Sequence, residues 1–425
     1  MKNYEQFIKD FSLLISANSV QSTATEGAPF GRGVADAFDA FKKICSNMGF
    51  SVIDYDGYMG EVYFPSTNGE GEPFGVIGHL DVVPAEGDWH TPPFTLTKKD
   101  GVFYGRGVQD DKGPTLACLY AVKELLDEGF TFKRPLRFFI GLDEESGWDD
   151  VEYFLTKSTF PIEGFSPDGN FPVTYAEKGV NRVVFTIPYK GLATKISGGT
   201  VANAVCDYAT AKVKIDDELI KKHGLKVNAD GVVESFGKSA HGAKPHLGKN
   251  AIRALLKYVS ELDGGVFDKI VKGLFDDEIG IFKISNDVGN VTISPNIIKQ
   301  TDEAVELLCD LRIPAKIDTA DVIKALDKVG EKYALVSSKK PHYVDENGAL
   351  VQGLLSAYNK VTGEDAKPYS CSGATFASVF KSGVAFGPEF ENEDGAIHEP
   401  NEYIKEETLI KCFNIYKQAL KNILC

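Results

Sequence analysis

The sequence predicts an α/β protein, a mainly parallel, helix-covered sheet domain interrupted by an inserted α+β domain. Three observations carry this. Strand-like and helix-like patterns alternate from the N-terminus to about residue 180; from about 181 to 344 several strand-like runs flank two helices; after about 345 the alternation returns. Alternating strands and helices build a sheet covered on both faces, and the A–B–A order is that of one domain inserted into another. A chain of 425 residues is long enough for two domains. The boundaries are set at 1–180 with 345–425 for the outer domain and 181–344 for the insert.

The elements follow from local pattern. Phe7, Phe11, Leu14 and Ile15 recur at helical spacing, and Glu5, Lys9 and Asp10 fall where a secretory leader would need an unbroken apolar run. A second helix, about 33–48, aligns Ala37, Phe38, Phe41, Ile44 and Cys45 on one face. Short strands are expected at 60–65 and 74–78. Asp111 is placed to cap a helix over about 112–128, ended by Gly129. Pro135 precedes an apolar run, 136–142, that reads as a buried strand. In the insert, strands are expected at 182–187, 210–215, 232–236 and 305–311, with helices near 248–262 and 318–331. Segments 203–215 and 296–314 each join an Asn-containing loop to a strand, and the insert is long enough for two small α+β modules. A helix at 349–361, a short strand at 384–386 and a helix near 405–422 complete the outer domain.

Composition narrows the function. The net charge of −15 opposes binding to nucleic acid and to acidic membrane surfaces. Seven cysteines (Cys45, Cys118, Cys206, Cys309, Cys371, Cys412 and Cys425) are scattered singly, without a Cys-x-x-Cys pair, which argues against a disulfide framework and a thiolate zinc site. No stretch reaches the ~18 consecutive apolar residues of a membrane span. The expectation is a soluble cytoplasmic protein with no nucleic-acid or membrane partner.

The chemistry lies in a set of His and acidic residues. His79 and Asp81 stand at the end of an apolar run, two apart, so on extended backbone they point the same way, and Asp81 can accept the second ring N–H of a metal-bound His79. Asp110 and Asp111 precede a helix in a glycine-rich turn; one acid serves the helix N-terminus, and two exceed that need. Asp143, Glu144 and Glu145 are consecutive acids after a buried strand, and they repel one another unless a cation or buried donor compensates. Asp168 lies in Ser166-Pro-Asp-Gly169 and reads alone as a turn residue; His398 reads alone as a partly buried histidine. Together His79, Asp110, Glu145, Asp168 and His398 supply two imidazoles and three carboxylates, a donor set that suits zinc, cobalt or manganese.

These motifs, in order, resemble the dinuclear zinc aminoacylase–carnosinase superfamily of metallopeptidases. The resemblance rests on Gly78-His-Leu-Asp81 with Pro84, Gly105-Arg-Gly with Asp110-Asp-Lys-Gly113, the Glu144–Glu145 pair, and His398 with Glu399. Ser197-Gly-Gly with Asn203, Gly237-Lys-Ser-Ala-His241 with Gly248-Lys-Asn-Ala251, and Asp310-Leu-Arg-Ile-Pro314 are similar to the lid motifs of its bacterial dipeptidase V branch. The resemblance implies a catalytic domain with an inserted lid domain and two divalent metal ions, zinc first, with manganese or cobalt as alternatives. It implies one metal on His79 and Asp168, the other on Glu145 and His398, and Asp110 bridging, with a cis Asp110–Asp111 peptide. It makes Glu144 the general base and then acid, His241, with Asn203, the oxyanion partner, and Arg312 the ligand of the substrate's terminal carboxylate. The reaction implied is hydrolysis of short peptides by a water that two metals share and acidify. An N-acyl-amino-acid amidohydrolase with the same centre is the alternative, and an inactive binding protein a third reading. The length of the insert implies a monomer whose lid rotates about connections near 180 and 344. Cys206 stands where the family often has Pro, and Ser378 replaces an Arg, which leaves the metal site untouched and bears on substrate detail.

Overall fold

The computed structural model describes residues 1–393 and 395–425. The chain forms two compact units: Met1–Tyr175 with Val344–Tyr369 and Thr375–Cys425, and Ala176–Tyr343 with the short segment Ser370–Ala374.

The first unit begins with helices α1 (Tyr4–Ile15) and α2 (Arg32–Asn47), strands β1 (Val52–Tyr55), β2 (Met59–Phe64), β3 (Phe74–His79), β4 (Thr97–Lys99) and β5 (Val102–Tyr104), helix α3 (Lys112–Asp127), strand β6 (Leu136–Gly141), helix α4 (Asp149–Lys157) and strand β7 (Glu163–Ser166). Its sheet runs β1-β2-β6-β3-β7 and continues to Ser382–Ala385. The pairings β6–β3, β3–β7 and β7 with Ser382–Ala385 are parallel, and the β1–β2 hairpin adds an antiparallel edge. The fold class read from the sequence is therefore present.

Alternation along β3 divides its two faces. Gly78 faces α3, where an added Cβ would lie 1.7 Å from Thr115 Oγ1, so only glycine lets the helix N-terminus approach this closely. Ile77 faces an apolar cluster with Met59, Phe139, Phe154, Phe376 and Phe380. Helix α3 is buried nearly all round, packed against α1 and the C-terminal helix Glu406–Leu424. This explains why its sequence lacks a polar stripe. Asp111 occupies the N-cap position but makes no capping bond. Its Oδ2 instead accepts from Thr115 Oγ1 at 2.6 Å, which corrects the expectation of a simple cap.

The second unit holds one antiparallel sheet of eight strands, in the order Lys226–Val227, Val233–Phe236, Tyr208–Lys212, Thr194–Gly198, Thr292–Gln300, Ala304–Ile313, Gly179–Pro188 and Lys332–Lys339. Helix Ala251–Leu262 covers one face, and the core there includes Val183, Phe185, Leu255, Leu256, Leu307 and Leu311. Among the described residues no helix is long and apolar enough to cross a membrane.

Candidate metal centre

Three neighbouring parallel strands, β6, β3 and β7, deliver their C-terminal ends to one edge of the sheet, where open α/β folds place their sites. His79 is the last residue of β3 and lies in register with Gly141 at the end of β6. Glu144 and Glu145 follow β6, and Asp168 follows β7. Asp110 arrives from the turn between β5 and α3, and His398 from the loop before the strand Tyr403–Lys405.

The side chains converge. His79 Nε2 lies 3.0 Å from Asp110 Oδ1 and 3.8 Å from Asp168 Oδ2. His398 Nε2 lies 3.0 Å from Asp110 Oδ2 and 3.1 Å from Glu145 Oε1. Asp110 thus turns one oxygen to each histidine. Glu144 also reaches the cluster: His79, Glu144 and Asp168 have ligand atoms within 4.8 Å of one another, as do His79, Asp110 and Glu145. The Asp110–Asp111 peptide is cis.

Neighbouring groups fix these side chains. His79 Nδ1 lies 3.0 Å from the Asp81 carbonyl oxygen and 3.4 Å from its carboxylate, so its ring proton belongs on Nδ1 and Nε2 faces the cluster. The backbone carbonyl, rather than the carboxylate alone, orients the ring. Asp81 Oδ2 accepts from Glu145 N at 3.0 Å, tying the β3 end to the β6 turn. That turn is also held from behind. Asp150 Oδ2 accepts from Leu142 N at 2.8 Å and Asp143 N at 3.2 Å, and the Trp148 indole donates to Glu144 O at 2.9 Å. The sequence reading missed Asp150 and Trp148. The only local signal was their place just after the acidic triplet.

The electrostatics are those of a site short of positive charge. Burial works against the charged form of Asp110, but hydrogen bonds from His398 and His79 hold its carboxyl well below the usual range. Burial likewise opposes a charged His398, yet Asp110 and Glu145 outweigh it and push the imidazole up to about 11. His79, against the same penalty, is raised well above its ordinary value by Asp110 and Asp81. Asp168 is pushed up to about 8 by burial and then by the charge of Asp110, and Glu145 rises for the same two reasons. Among the described residues, Asp111 Oδ1 is buried without a hydrogen-bond partner, and Asp81 Oδ1 is buried with His79 Nδ1 at 3.4 Å, too loosely placed for a hydrogen bond. A set of His N and carboxylate O donors this close, with acids in excess, fits two divalent ions.

The sequence agrees with this geometry. The profile of peptidase family M20/M25/M40 matches residues 75–422. The chain belongs to this peptidase family. Among its relatives, "Putative dipeptidase SH1171" of Staphylococcus haemolyticus is 31% identical over 466 residues, covering 100% of this chain and 98% of that protein. The fold of this M20 chain is shared with human carnosine dipeptidase 1 (TM-score 0.61, 14% identity, 99% and 96% coverage). It is also shared with the Bacillus subtilis YXEP protein, described as a dinuclear metal binding peptidase (TM-score 0.55, 11% identity, 99% coverage of both chains).

The remaining residues singled out from the sequence lie in the second unit. Gly242 N donates to Asn203 O at 2.6 Å, and Ala204 bridges His241. His241 Nδ1 accepts from Ala243 N at 3.1 Å, which leaves the ring proton on Nε2. A Cβ on Gly242 would come within 2.8 Å of Asp310 Oδ2 and 3.0 Å of both Asn203 O and Asn296 Nδ2, so the two loops and the sheet meet at this glycine. Arg312 is buried, and Asp310 takes its fork, with Nε–Oδ1 at 2.8 Å and Nη2–Oδ2 at 2.9 Å. Its Nη1 donates to Ser372 O at 3.0 Å. Asn203, His241 and Arg312 thus belong to one polar patch of this unit.

Proposed function

We propose that this M20 chain is a metal-dependent dipeptidase. The observation that carries the reading is Asp110, whose two carboxylate oxygens each lie 3.0 Å from a different histidine Nε2. A carboxylate so placed can serve two cations at once. His79 and Asp168 would hold one ion and His398 and Glu145 the other. Zinc is the first choice for this N/O set, and manganese or cobalt would fit. When bound, the pair supplies an acidified water and a positive field for a developing oxyanion.

The residues of the chain do the rest. Glu144, in the cluster but outside both pairs that share Asp110, takes the proton of the attacking water and passes it to the leaving amine nitrogen. Asp81 keeps His79 in the tautomer that directs Nε2 inward. The second unit acts as the lid: His241 donates from Nε2 to the oxyanion, with Asn203 beside it, and Arg312, oriented by Asp310, binds the free carboxylate of a short peptide. That requirement for a terminal carboxylate favours dipeptides over internal bonds of long chains. The name of the Staphylococcus haemolyticus relative supports the same reading. The seven singly scattered cysteines of this chain suit a reducing, cytoplasmic setting.

The test is hydrolysis of free dipeptides, tripeptides and N-acyl amino acids by the purified protein with added zinc or manganese. Dipeptide cleavage that a chelator abolishes is expected; exclusive release of acyl groups would make it an amidohydrolase. We further propose a functional monomer. Mixing inactive His241→Ala and Glu144→Ala chains should restore no activity; recovery would show that one chain's lid serves another's metals.

A further inference from the structure

Glu402 lies four residues after His398 and is fully buried, yet nothing in the proposed chemistry uses it. Its carboxylate accepts four donors. Oε1 receives Gln109 N at 2.9 Å and Asp110 N at 3.2 Å; Oε2 receives Gly107 N at 2.9 Å and Arg106 Nη1 at 2.9 Å. Its own carbonyl oxygen accepts from Gly105 N at 3.1 Å. The turn from 105 to 110 is therefore wrapped around one side chain, with the backbone N–H groups of Gly107, Gln109 and Asp110 aimed inward at an anion.

The two partners are brought to this meeting by a β-ladder. The strand Tyr403–Lys405 pairs antiparallel with β5, Tyr403 opposite Tyr104. Each strand runs directly into a ligand-bearing segment, 105–110 on one side and 395–402 on the other. Tyr403 N donates to Gly395 O at 2.9 Å, and a Cβ on Gly395 would collide with the Gln109 side chain at 1.9 Å. Arg106 is itself buried, donates to Pro84 O at 3.2 Å and lies over the Trp89 ring at 5.1 Å, so the clamp is supported on its far side.

We propose that Glu402 is a positioning residue whose carboxylate clamps the Asp110 turn onto the His398 segment, so that the two loops hold their relative place before any cation binds. The proposal rests on the metal reading above. It explains why the position holds a carboxylate. Only an acceptor-only group with two oxygens can satisfy four converging donors, whereas an amide would turn its NH2 toward two of them. Because Asp110's own backbone N–H is in the clamp, loss of the carboxylate moves the bridging ligand itself.

The test uses the full chain and the isosteric Glu402→Gln, with Glu402→Asp as the conservative partner. Affinity for zinc is measured by chelator competition, and the absorption spectrum of the cobalt(II)-loaded proteins is recorded. Glu402→Gln should bind about 10–100-fold more weakly, with an altered cobalt spectrum, and Glu402→Asp should recover part of both. Wild-type affinity and an unchanged cobalt spectrum in Glu402→Gln would overturn the proposal. Hydrogen exchange of the metal-free wild-type protein decides independently of whether the variant folds. Slow exchange at Gly107, Gln109 and Asp110 is expected, and rates of an unstructured peptide would overturn the clamp. A wild-type chain that binds no divalent ion would sink the metal reading alone, since the exchange result still decides the clamp.

Discussion

Each unit of this protein has its own polar cluster, and the two balance charge in opposite ways. At the strand ends of the first unit, the carboxylates of Asp81, Asp110, Glu145 and Asp168 gather around two imidazoles, those of His79 and His398, with Asp111 and Glu144 beside them. Burial and mutual repulsion push Asp168 and Glu145 toward the protonated form. In the second unit, Asp310 and Arg312 lie on the face of the strand Ala304–Ile313 opposite the core residues Leu307, Cys309 and Leu311, and they pair at 2.8 and 2.9 Å. Thr292 and Ser294 lie across from them in register. The first cluster is complete only with added positive charge. In the second, Asp310 and Arg312 match one another, and their work is to hold one guanidinium in a set direction. An excess of buried acid marks a place for cations; a matched buried pair marks a place for orientation.

The sharpest way to break this comparison separates chemistry from charge within the first cluster. Glu144→Gln should lower kcat by about 10²–10⁴ while metal content stays unchanged, whereas Glu145→Gln should lose metal. Elemental analysis beside steady-state kinetics decides it, and identical behaviour of the two variants would refute their separate roles. Next comes Asp310→Ala, which strands a buried guanidinium. It should destabilise the second unit by about 3–5 kcal/mol in denaturant unfolding and raise KM, without touching metal content.

Metal removal is the reverse experiment. Zinc at about 100 times its Kd should stabilise the first unit by about 2.7 kcal/mol and leave the second unit's transition in place. Binding should also tighten as pH rises. His79 is raised, and His398 is held up to about 11 in the metal-free chain, so both carry protons at neutral pH that a cation must displace. Calorimetry in buffers of different ionisation enthalpy measures that release; binding without proton release would contradict the charge argument. The smallest expected effect is Ser294→Ala, which removes the 2.6 Å hydrogen bond to Asn296 Oδ1 and should cost about 1 kcal/mol of stability. Thermal unfolding checks it.

Much of the first unit was legible because its signals are local. The apolar runs that became β3 and β6 are short, bounded and followed at once by their acids, so strand and strand-end residue are read together. The helix α3 was expected over 112–128 and spans Lys112–Asp127. The second unit's strand Lys332–Lys339 was not anticipated, because it lies mostly exposed and has no buried face to impose alternation. Segment Ser370–Ala374 belongs by contacts to the second unit although its neighbours in sequence belong to the first, and no composition shift marks it.

The sequence by itself determined which groups are available: two histidines, a run of acids and the short apolar strands that carry them, because side-chain chemistry and period-two burial are properties of neighbouring residues. Only the tertiary structure decided how those groups are used. Asp111 turns from helix cap to partner of Thr115 because Gly78 lets α3 approach, and the split of Asp110 between two histidines depends on His398, from the far end of the chain. The carboxylate of Glu402 finds the amides of Gly107, Gln109 and Asp110 from 295, 293 and 292 residues further along the chain. Such meetings leave no periodic trace in either segment, since each donor and acceptor is ordinary until folding removes the water that would otherwise satisfy it.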